Sequence, residues 1–158
     1  MEIKDKELHR ISTTCIIYNI DKKYLVTKRS LTKKAHPGKW TVPGGGLNVD
    51  DYINRPQTNG DAGWYGAIDE SLAREIKEEV NVEVGKIEYL LNLTFIRPDG
   101  IPILVLSFYA PYTSGEAKFD ADKQDTVDCR WVTLAEAKDL DLIPGIYEEL
   151  EMVEKLIS

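Results

Sequence analysis

The 158-residue sequence is poor in several features that mark specialised classes of protein. It has two cysteines, Cys15 and Cys129, both in strand-like apolar segments, which excludes a disulfide-rich scaffold and favours reduced core residues over a disulfide or a reactive thiol. No apolar run approaches the roughly 18–20 residues that a membrane-spanning helix needs. Because residues 1–10 are charged and lack the apolar core of an export signal, we expect a cytoplasmic protein without a membrane partner.

Basic residues are also scarce, since 20 Lys and Arg stand against 27 Asp and Glu and give a formal net charge of −7. Proteins that bind DNA or RNA along the phosphate backbone need a basic surface, so bulk nucleic acid is not an expected partner. A phosphorylated small molecule is compatible with this charge if a cation bridges the two negative parties. The length fits a single domain, 1–158, which could also form a homodimer.

Apolar periodicity divides the chain into strands, one central helix, more strands and C-terminal helices. In the central helix, Ile68, Leu72, Ile76 and Val80 are spaced by four, and Asn81 suits a left-handed residue at the helix end. This order predicts an α/β fold in which helices cover a mixed β-sheet. Strands are predicted at 10–18, 23–28, 40–42, 82–84, 87–97, 101–112 and 127–132, and helices at 67–80, 134–138 and 144–157.

A segment without clear periodicity, at about 47–66, separates a glycine-rich turn at 43–46 from the central helix. Loops of this length are uncommon inside compact domains and are usually functional or mobile. Aromatic side chains near a phosphate site can stack on a base, which makes Trp64 and Tyr65 candidates for substrate contact. The alternative is that these two side chains hold the loop against the core.

Three carboxylates share one face of the central helix. At about 100° per residue, Glu75, Glu78 and Glu79 fall within an arc of roughly 100°. Arg74 can reach Glu78 at the i, i+4 spacing, which leaves the other two in need of a cation, and hard oxygen ligands suit Mg²⁺ or Mn²⁺. Because like-charge repulsion on an exposed helix costs only about 0.2–0.5 kcal/mol per pair, a solvated helix face is an alternative interpretation.

The glycines before the helix favour the metal site, because glycine lets backbone groups approach a ligand closely, although a plain tight turn would also use them. Together these features resemble the Nudix hydrolase family, whose signature is Gly-x5-Glu-x7-Arg-Glu-hydrophobic-x-Glu-Glu-x-Gly-hydrophobic. Residues 74–82 match its second half, with Asn81 in place of the closing glycine, and residues 38–45 resemble its lead-in.

The first glutamate of that signature is not where the pattern places it. Counting back from Arg74, its position falls on Gly66, and counting forward from Gly45, it falls on Asp51. The two counts differ by 66 − 51 = 15 residues, so we infer an insertion of about that size. Either Asp51 supplies the lost carboxylate or nothing does.

The resemblance implies a Nudix-type α/β/α sandwich with a mixed β-sheet. It also implies Mg²⁺-dependent hydrolysis, with Mn²⁺ as an alternative ion, of a diphosphate linkage in a nucleoside diphosphate derivative or nucleoside triphosphate. Glu75, Glu78, Glu79 and the carbonyl of Gly45 would hold the metal. Arg74 would orient Glu78, and these two residues and Glu75 would form the catalytic set.

Further residues are candidates for the catalytic and substrate-binding site. Asp125, before a strand that contains a tryptophan, is a candidate auxiliary base or extra ligand, with a solvated turn residue as the alternative. The basic loop at 28–34 would contact phosphates or remain solvated. The candidate substrate-binding residues are Arg29, Trp40, Arg55 and Trp64.

Two other functions compete with hydrolysis. A catalytically weak, Nudix-like nucleotide sensor is mildly favoured by the missing glutamate, but a sensor need not keep three mutually repelling carboxylates. A diphosphate isomerase related to the same family is a third interpretation. It is weaker, because Cys15 and Cys129 are predicted to be buried and unavailable for its protonation chemistry.

Overall fold

A computed structural model of the chain describes residues 5–58, 60 and 63–158. Within these residues no helix is long and apolar enough to cross a bilayer. Short 3-10 turns lie at Val49–Asp51 and Ala121–Lys123. The strands and helices are, in order, β1 (Arg10–Tyr18), β2 (Tyr24–Arg29), β3 (Trp40–Thr41), β4 (Gly44–Gly46), α1 (Ala67–Val80), β5 (Glu83–Val84), β6 (Glu88–Ile96), β7 (Pro102–Ser114), β8 (Thr126–Val132), α2 (Leu134–Ala137) and α3 (Ile146–Ile157).

The strands form a mixed sheet around β1 and β7, which pair in parallel with Cys15 opposite Phe108. The other pairings between these strands are antiparallel: β1 with β2 and β4, β2 with β3 and β8, and β7 with β5 and β6. The prediction of a mixed sheet is confirmed.

Two hydrophobic cores lie on opposite faces of this sheet, because successive side chains of a strand point to opposite sides. Cys15 and Ile17 pack with Leu72 and Ile76 of α1. Ile16, between them in β1, packs with the core that includes Leu150 of α3. Helices therefore cover both faces, which confirms the α/β/α sandwich.

The longest helix, α1, is built as its sequence predicts. Leu72, Ile76 and Val80 are completely buried, and Asn81 ends the helix at φ 61° with its N–H bonded to the Lys77 carbonyl at 3.0 Å. The Asn81 side chain also donates a hydrogen bond to the Glu116 carbonyl at 2.9 Å. Asparagine tolerates this left-handed conformation, so it can stand where the signature has glycine.

Most element ends lie within one or two residues of the prediction, and two differences have a clear backbone cause. The glycines 44–46 form strand β4 instead of a turn, since their backbone pairs with Ser12–Thr14 of β1. A Cβ on Gly44 would lie 2.9 Å from the Thr14 Cα, so only glycine permits this pairing. At the C-terminus, α3 begins at Ile146 and not at 144, because Gly145 has φ 96° and breaks the helical path.

The segment at about 47–66 packs against the start of α1. The Trp64 Nε1 donates to the Arg55 carbonyl at 2.8 Å, and the Trp64 ring lies 5.2 Å from that of Tyr52. The Arg55 guanidinium pairs with Glu70 of α1. Residues 59, 61 and 62 of this segment lie outside the described part. These contacts agree with the alternative in which the aromatic side chains hold the loop in place.

We expect Gly115→Ala to destabilise the fold more than Gly145→Ala. The two glycines have matched φ angles of 100° and 96°, but only at Gly115 would a Cβ meet backbone, 2.5 Å from the Asn81 oxygen and 3.0 Å from the Val82 Cα. Strain alone should cost about 1–2 kcal/mol at both sites, and the collision adds to it at Gly115. Thermal unfolding measures the difference, at about 2–4 °C per kcal/mol. Equal melting temperatures would contradict this packing.

Candidate active site

A cleft of about 1030 Å³ is bordered by α1, β4, β6, β7 and the loops beside them. Glu75, Glu78 and Glu79 line one part of it, together with the glycines of β4. Basic side chains from the loop after β2 also enter the cleft. A third part is apolar, lined by Leu93, Phe95, Ile103, Val105, Ile143 and Ile146. The cleft thus combines an acidic face, cations and an apolar wall.

Glu79 is fixed between two strands. One carboxylate oxygen accepts a hydrogen bond from the Gly44 N–H at 3.0 Å, and the other accepts one from the Thr126 hydroxyl at 2.9 Å. Burial raises the pKa of Glu79 even though both hydrogen bonds oppose the shift. Glu79 therefore joins α1 to β4 and β8 and offers a carboxylate poorly compensated by positive charge.

Glu75 lies directly against Gly45 of β4. A Cβ on Gly45 would lie 2.6 Å from the Glu75 carboxyl carbon, so the contact depends on the absence of a side chain. Burial raises the pKa of Glu75, and the neighbouring Glu78 charge adds to that shift, while Arg74 opposes it. The Gly45 carbonyl accepts a hydrogen bond from the Thr13 hydroxyl at 3.3 Å, which fixes this oxygen.

Arg74 connects the acidic residues. Its guanidinium contacts Glu75 at 3.2 Å and Glu78 at 3.0 Å, and it also pairs with Asp51. Glu78 is exposed and contacts Lys123 as well, at 3.6 Å. Arg74 therefore fixes the relative positions of two carboxylates of α1, as the sequence predicts for Glu78.

Asp51 lies where the forward count from Gly45 puts the missing signature carboxylate. Its second oxygen accepts hydrogen bonds from the Ser71 hydroxyl at 3.0 Å and the Asn48 N–H at 2.8 Å. Burial acts to raise the pKa of Asp51, but these bonds and Arg74 outweigh it and lower the pKa. Asp51, near the start of the insertion, is thus hydrogen-bonded and ion-paired to α1.

The donor set fits a divalent cation by its chemistry. Glu75 and Glu79 present hard oxygen donors, and burial raises the pKa of both carboxyl groups, a shift that a bound cation would offset. Within the described residues, no three acidic, histidine or cysteine side chains are gathered closely enough to enclose an ion in this arrangement. Glu78 and Glu79 are instead bonded to Arg74, Gly44 and Thr126. Ion binding would exchange some of these hydrogen bonds for coordination.

The remaining candidate residues divide into two groups. Asp125 and Arg29 line the cleft. Asp125 is paired with Lys33 at 3.1 Å, and the Arg29 Nε donates to the Ala35 carbonyl at 2.9 Å. Burial lowers the pKa of Arg29, while the charges of Glu79 and Asp125 oppose that shift.

The structure does not bring Trp40, Arg55 or Trp64 to the cleft. Trp40 is 5% exposed, packs in the core with α3, and is covered by the Arg130 guanidinium 4.7 Å from its ring centre. Trp64 contacts Arg55, and Arg55 pairs with Glu70 of α1. Core packing and loop anchoring account for these side chains, and none of the three predicted substrate-binding residues lines the cleft.

Comparison with known proteins identifies the family. A model of the NUDIX domain matches residues 8–152. This chain is a member of the Nudix family. Its sequence is 28% identical over 141 residues to an isopentenyl-diphosphate Delta-isomerase from Salmonella arizonae, covering 86% of this chain and 65% of that protein. It is 30% identical over 92 residues to the NAD-capped RNA hydrolase NudC of Pseudomonas aeruginosa, covering 58% of this chain and 29% of that one.

Solved structures show the same Nudix fold. A MutT protein from Methanosarcina mazei Go1 superposes with a TM-score of 0.69 at 20% identity, covering 98% of this chain and 99% of that one. The NUDIX domain of Shewanella oneidensis NrtR, complexed with ADP ribose, gives 0.70 at 15% identity, covering 97% and 91%. At these identities the likeness concerns the fold alone.

Sequence reasoning missed several residues of this Nudix cleft. Leu93 and Phe95 of β6 and Val105 and Ser107 of β7 line it at alternate positions, which strand parity could have indicated. Glu149 of α3 also lines it. The signal for Glu149 was a charged residue three positions after the buried Ile146, on the inward side of an amphipathic helix.

We expect Gly45→Ala to weaken divalent-ion binding and Gly46→Ala to change it little. The new methyl group at position 45 would displace the Glu75 carboxylate, whereas at position 46 it would meet only the flexible end of Arg10. Mn²⁺ affinity, measured by electron paramagnetic resonance, should fall by about tenfold or more in Gly45→Ala. Equal Mn²⁺ affinity in the two variants would show that the Gly45–Glu75 contact has no part in metal binding.

Proposed function

We propose that this Nudix protein is a Mg²⁺- or Mn²⁺-dependent hydrolase of diphosphate linkages in nucleoside diphosphate derivatives or nucleoside triphosphates. One observation carries the proposal: two carboxylates of α1 with raised pKa values lie against the glycine strand β4, inside a cleft that also contains basic side chains. A cation at this place would bridge the acidic helix and an anionic substrate.

Glu75, Glu78, Glu79 and the Gly45 carbonyl would hold the ion. When bound, a divalent ion neutralises diphosphate oxygens and lowers the pKa of an attacking water. Arg74 is a positioning residue, because its contacts with Glu75 and Glu78 and its pairing with Asp51 fix both carboxylates before substrate arrives. This arrangement reduces the reorganisation needed at the reacting centre.

The basic residues of the cleft would bind the phosphates. Arg29, Lys33, Lys34 and Lys123 all line it. Lys33 now pairs with Asp125, and a phosphate that draws Lys33 away would free the Asp125 carboxylate. Asp125 would then be able to accept a proton from the attacking water, which is the role proposed for it as auxiliary base.

Diphosphate isomerisation is the second candidate, favoured by the isomerase of Salmonella arizonae among the relatives. The two cysteines argue against it here. Cys15 is completely buried in β1, and burial raises the pKa of its thiol to about 12. Burial also raises the pKa of Cys129, and neither cysteine lines the cleft. Since no thiol is placed to move a proton, we prefer hydrolysis.

A sensor without turnover is less well supported than the sequence suggested. The missing signature carboxylate favoured a sensor, but the Asp51 carboxylate forms an ion pair with Arg74. A nucleotide as ligand agrees with the Shewanella oneidensis NUDIX domain complexed with ADP ribose. A cytoplasmic location and a homodimer stay predictions.

Phosphate or nucleotide release from a panel of nucleoside triphosphates and nucleoside diphosphate derivatives with Mg²⁺ tests the hydrolase proposal. We expect Glu78→Gln to lower kcat by about 10²-fold or more while the protein stays folded. Asp69→Asn is the matched control, because it removes an exposed carboxylate from the same helix outside the cleft lining. Equal turnover in both variants would exclude Glu78 from the mechanism. Isopentenyl diphosphate is assayed beside the panel, and its rearrangement without hydrolysis would support the isomerase.

Removal of divalent ions should abolish turnover and lower thermal stability. A ligand that binds only the folded state at 100 times its Kd stabilises by about 2.7 kcal/mol, so added Mg²⁺ should raise the melting temperature of the chelated protein. Glu79→Gln should reduce this increase, since one donor is lost. A melting temperature that does not respond to Mg²⁺ or Mn²⁺ would count against a metal site.

A further inference from the structure

Glu149 is a carboxylate that the proposed metal chemistry does not use. It lies on α3 and lines the cleft. Its helix neighbours Ile146 and Leu150 are 6% and 0% exposed, and Glu149 itself is half-buried. A carboxylate at such a position loses hydration, which is costly unless hydrogen bonds or a cation replace the water.

A chain of hydroxyl groups leads to this carboxylate. The Thr14 hydroxyl of β1 donates to the Ser107 oxygen of β7 at 3.1 Å. Because the Ser107 oxygen accepts that bond, the Ser107 hydrogen is available to Glu149, and this contact acts to lower the pKa of the carboxyl group. Ser107 is 3% exposed, whereas Thr14 is half-buried. The hydroxyls thus provide one donor to the carboxylate.

No cation compensates Glu149 within the described part of the chain. None of the ion pairs there includes it, and the only nearby charge acting on it is that of Glu148. Burial raises the pKa of Glu149, and Glu148 adds to that shift. Glu149 lines the cleft together with the apolar side chains Ile143 and Ile146.

We propose that Glu149 is a specificity-determining residue that accepts hydrogen bonds from adjacent N–H groups on the non-phosphate part of the substrate, as on the amide–amine edge of a guanine-type base. This inference rests on the proposed function and narrows its substrate class. An ionised carboxylate only accepts hydrogen bonds, so it matches two neighbouring donors. An adenine-type edge, which places one donor beside one acceptor, matches it less well.

The apolar wall fits the same occupant. Leu93 and Phe95 of β6 and Val105 of β7 line the cleft and can pack on the face of a flat ring. A purely apolar group, such as an isoprenoid chain, would leave Glu149 without donors. Sites built to hydrogen-bond a substrate discriminate strongly against analogues that lack the matching group, because a buried polar group is then left unpaired.

Two readouts test the inference: kcat/KM for GTP and ATP with Mg²⁺, and equilibrium binding of GMP and AMP, which contain no diphosphate linkage to cut. Wild-type protein should prefer the guanine compound by about tenfold or more in both. Glu149→Gln should reduce that ratio about tenfold, since an amide offers one donor and one acceptor and so matches adenine. Glu149→Ala should bring the ratio near one.

Glu148→Gln is the matched control, because it removes the adjacent exposed carboxylate of the same helix, which does not line the cleft. It should keep the wild-type ratio, and melting curves check that each variant is folded. Unchanged base ratios in both Glu149 variants, or no base preference in the wild-type protein, would overturn the inference. If nucleotide hydrolysis depends on Glu78 but the base preference does not depend on Glu149, only the inference about Glu149 fails. If the protein prefers GMP but hydrolyses no nucleotide, only the proposed function fails.

Discussion

The structure depends on the contact between the acidic face of α1 and the bare backbone of β4. Glu79 accepts a hydrogen bond from the Gly44 N–H, and Glu75 lies where a side chain on Gly45 would have to be. The contact requires glycine on one side and carboxylates on the other, so neither element can change independently. It brings hard oxygen donors to the floor of the cleft, at the cost of burying negative charge.

Two kinds of interaction limit that cost. Arg74 pairs with Glu75, Glu78 and Asp51, and backbone and hydroxyl donors bind the oxygens of Glu79. The pKa values of Glu75 and Glu79 remain raised by burial, so compensation is incomplete. A divalent ion is the natural complement of this residual charge. An ion bound at this helix would therefore offset the buried negative charge and stabilise the fold.

Much of the fold was predictable because it follows from local pattern. Helix α1 and its left-handed end at Asn81 follow from apolar spacing and asparagine chemistry. Strand β4 and the start of α3 were missed because they depend on backbone pairing and on the φ of Gly145. Trp40, an aromatic residue in the lead-in to the motif, proved to be core, and Glu149 escaped notice because its role depends on tertiary contacts with β7. Site residues that share one helix can be predicted from their spacing in the sequence, but site residues that come together from distant elements cannot.

We propose that a divalent ion binds where α1 meets β4. Crystals grown with Mn²⁺ and a non-hydrolysable nucleotide test it most directly, by anomalous diffraction at the manganese edge. We expect an anomalous peak within about 2.0–2.6 Å of a Glu75 or Glu79 oxygen, close to the Gly45 carbonyl. A cleft that holds nucleotide but no manganese beside these residues, or a peak bound only elsewhere, would contradict it.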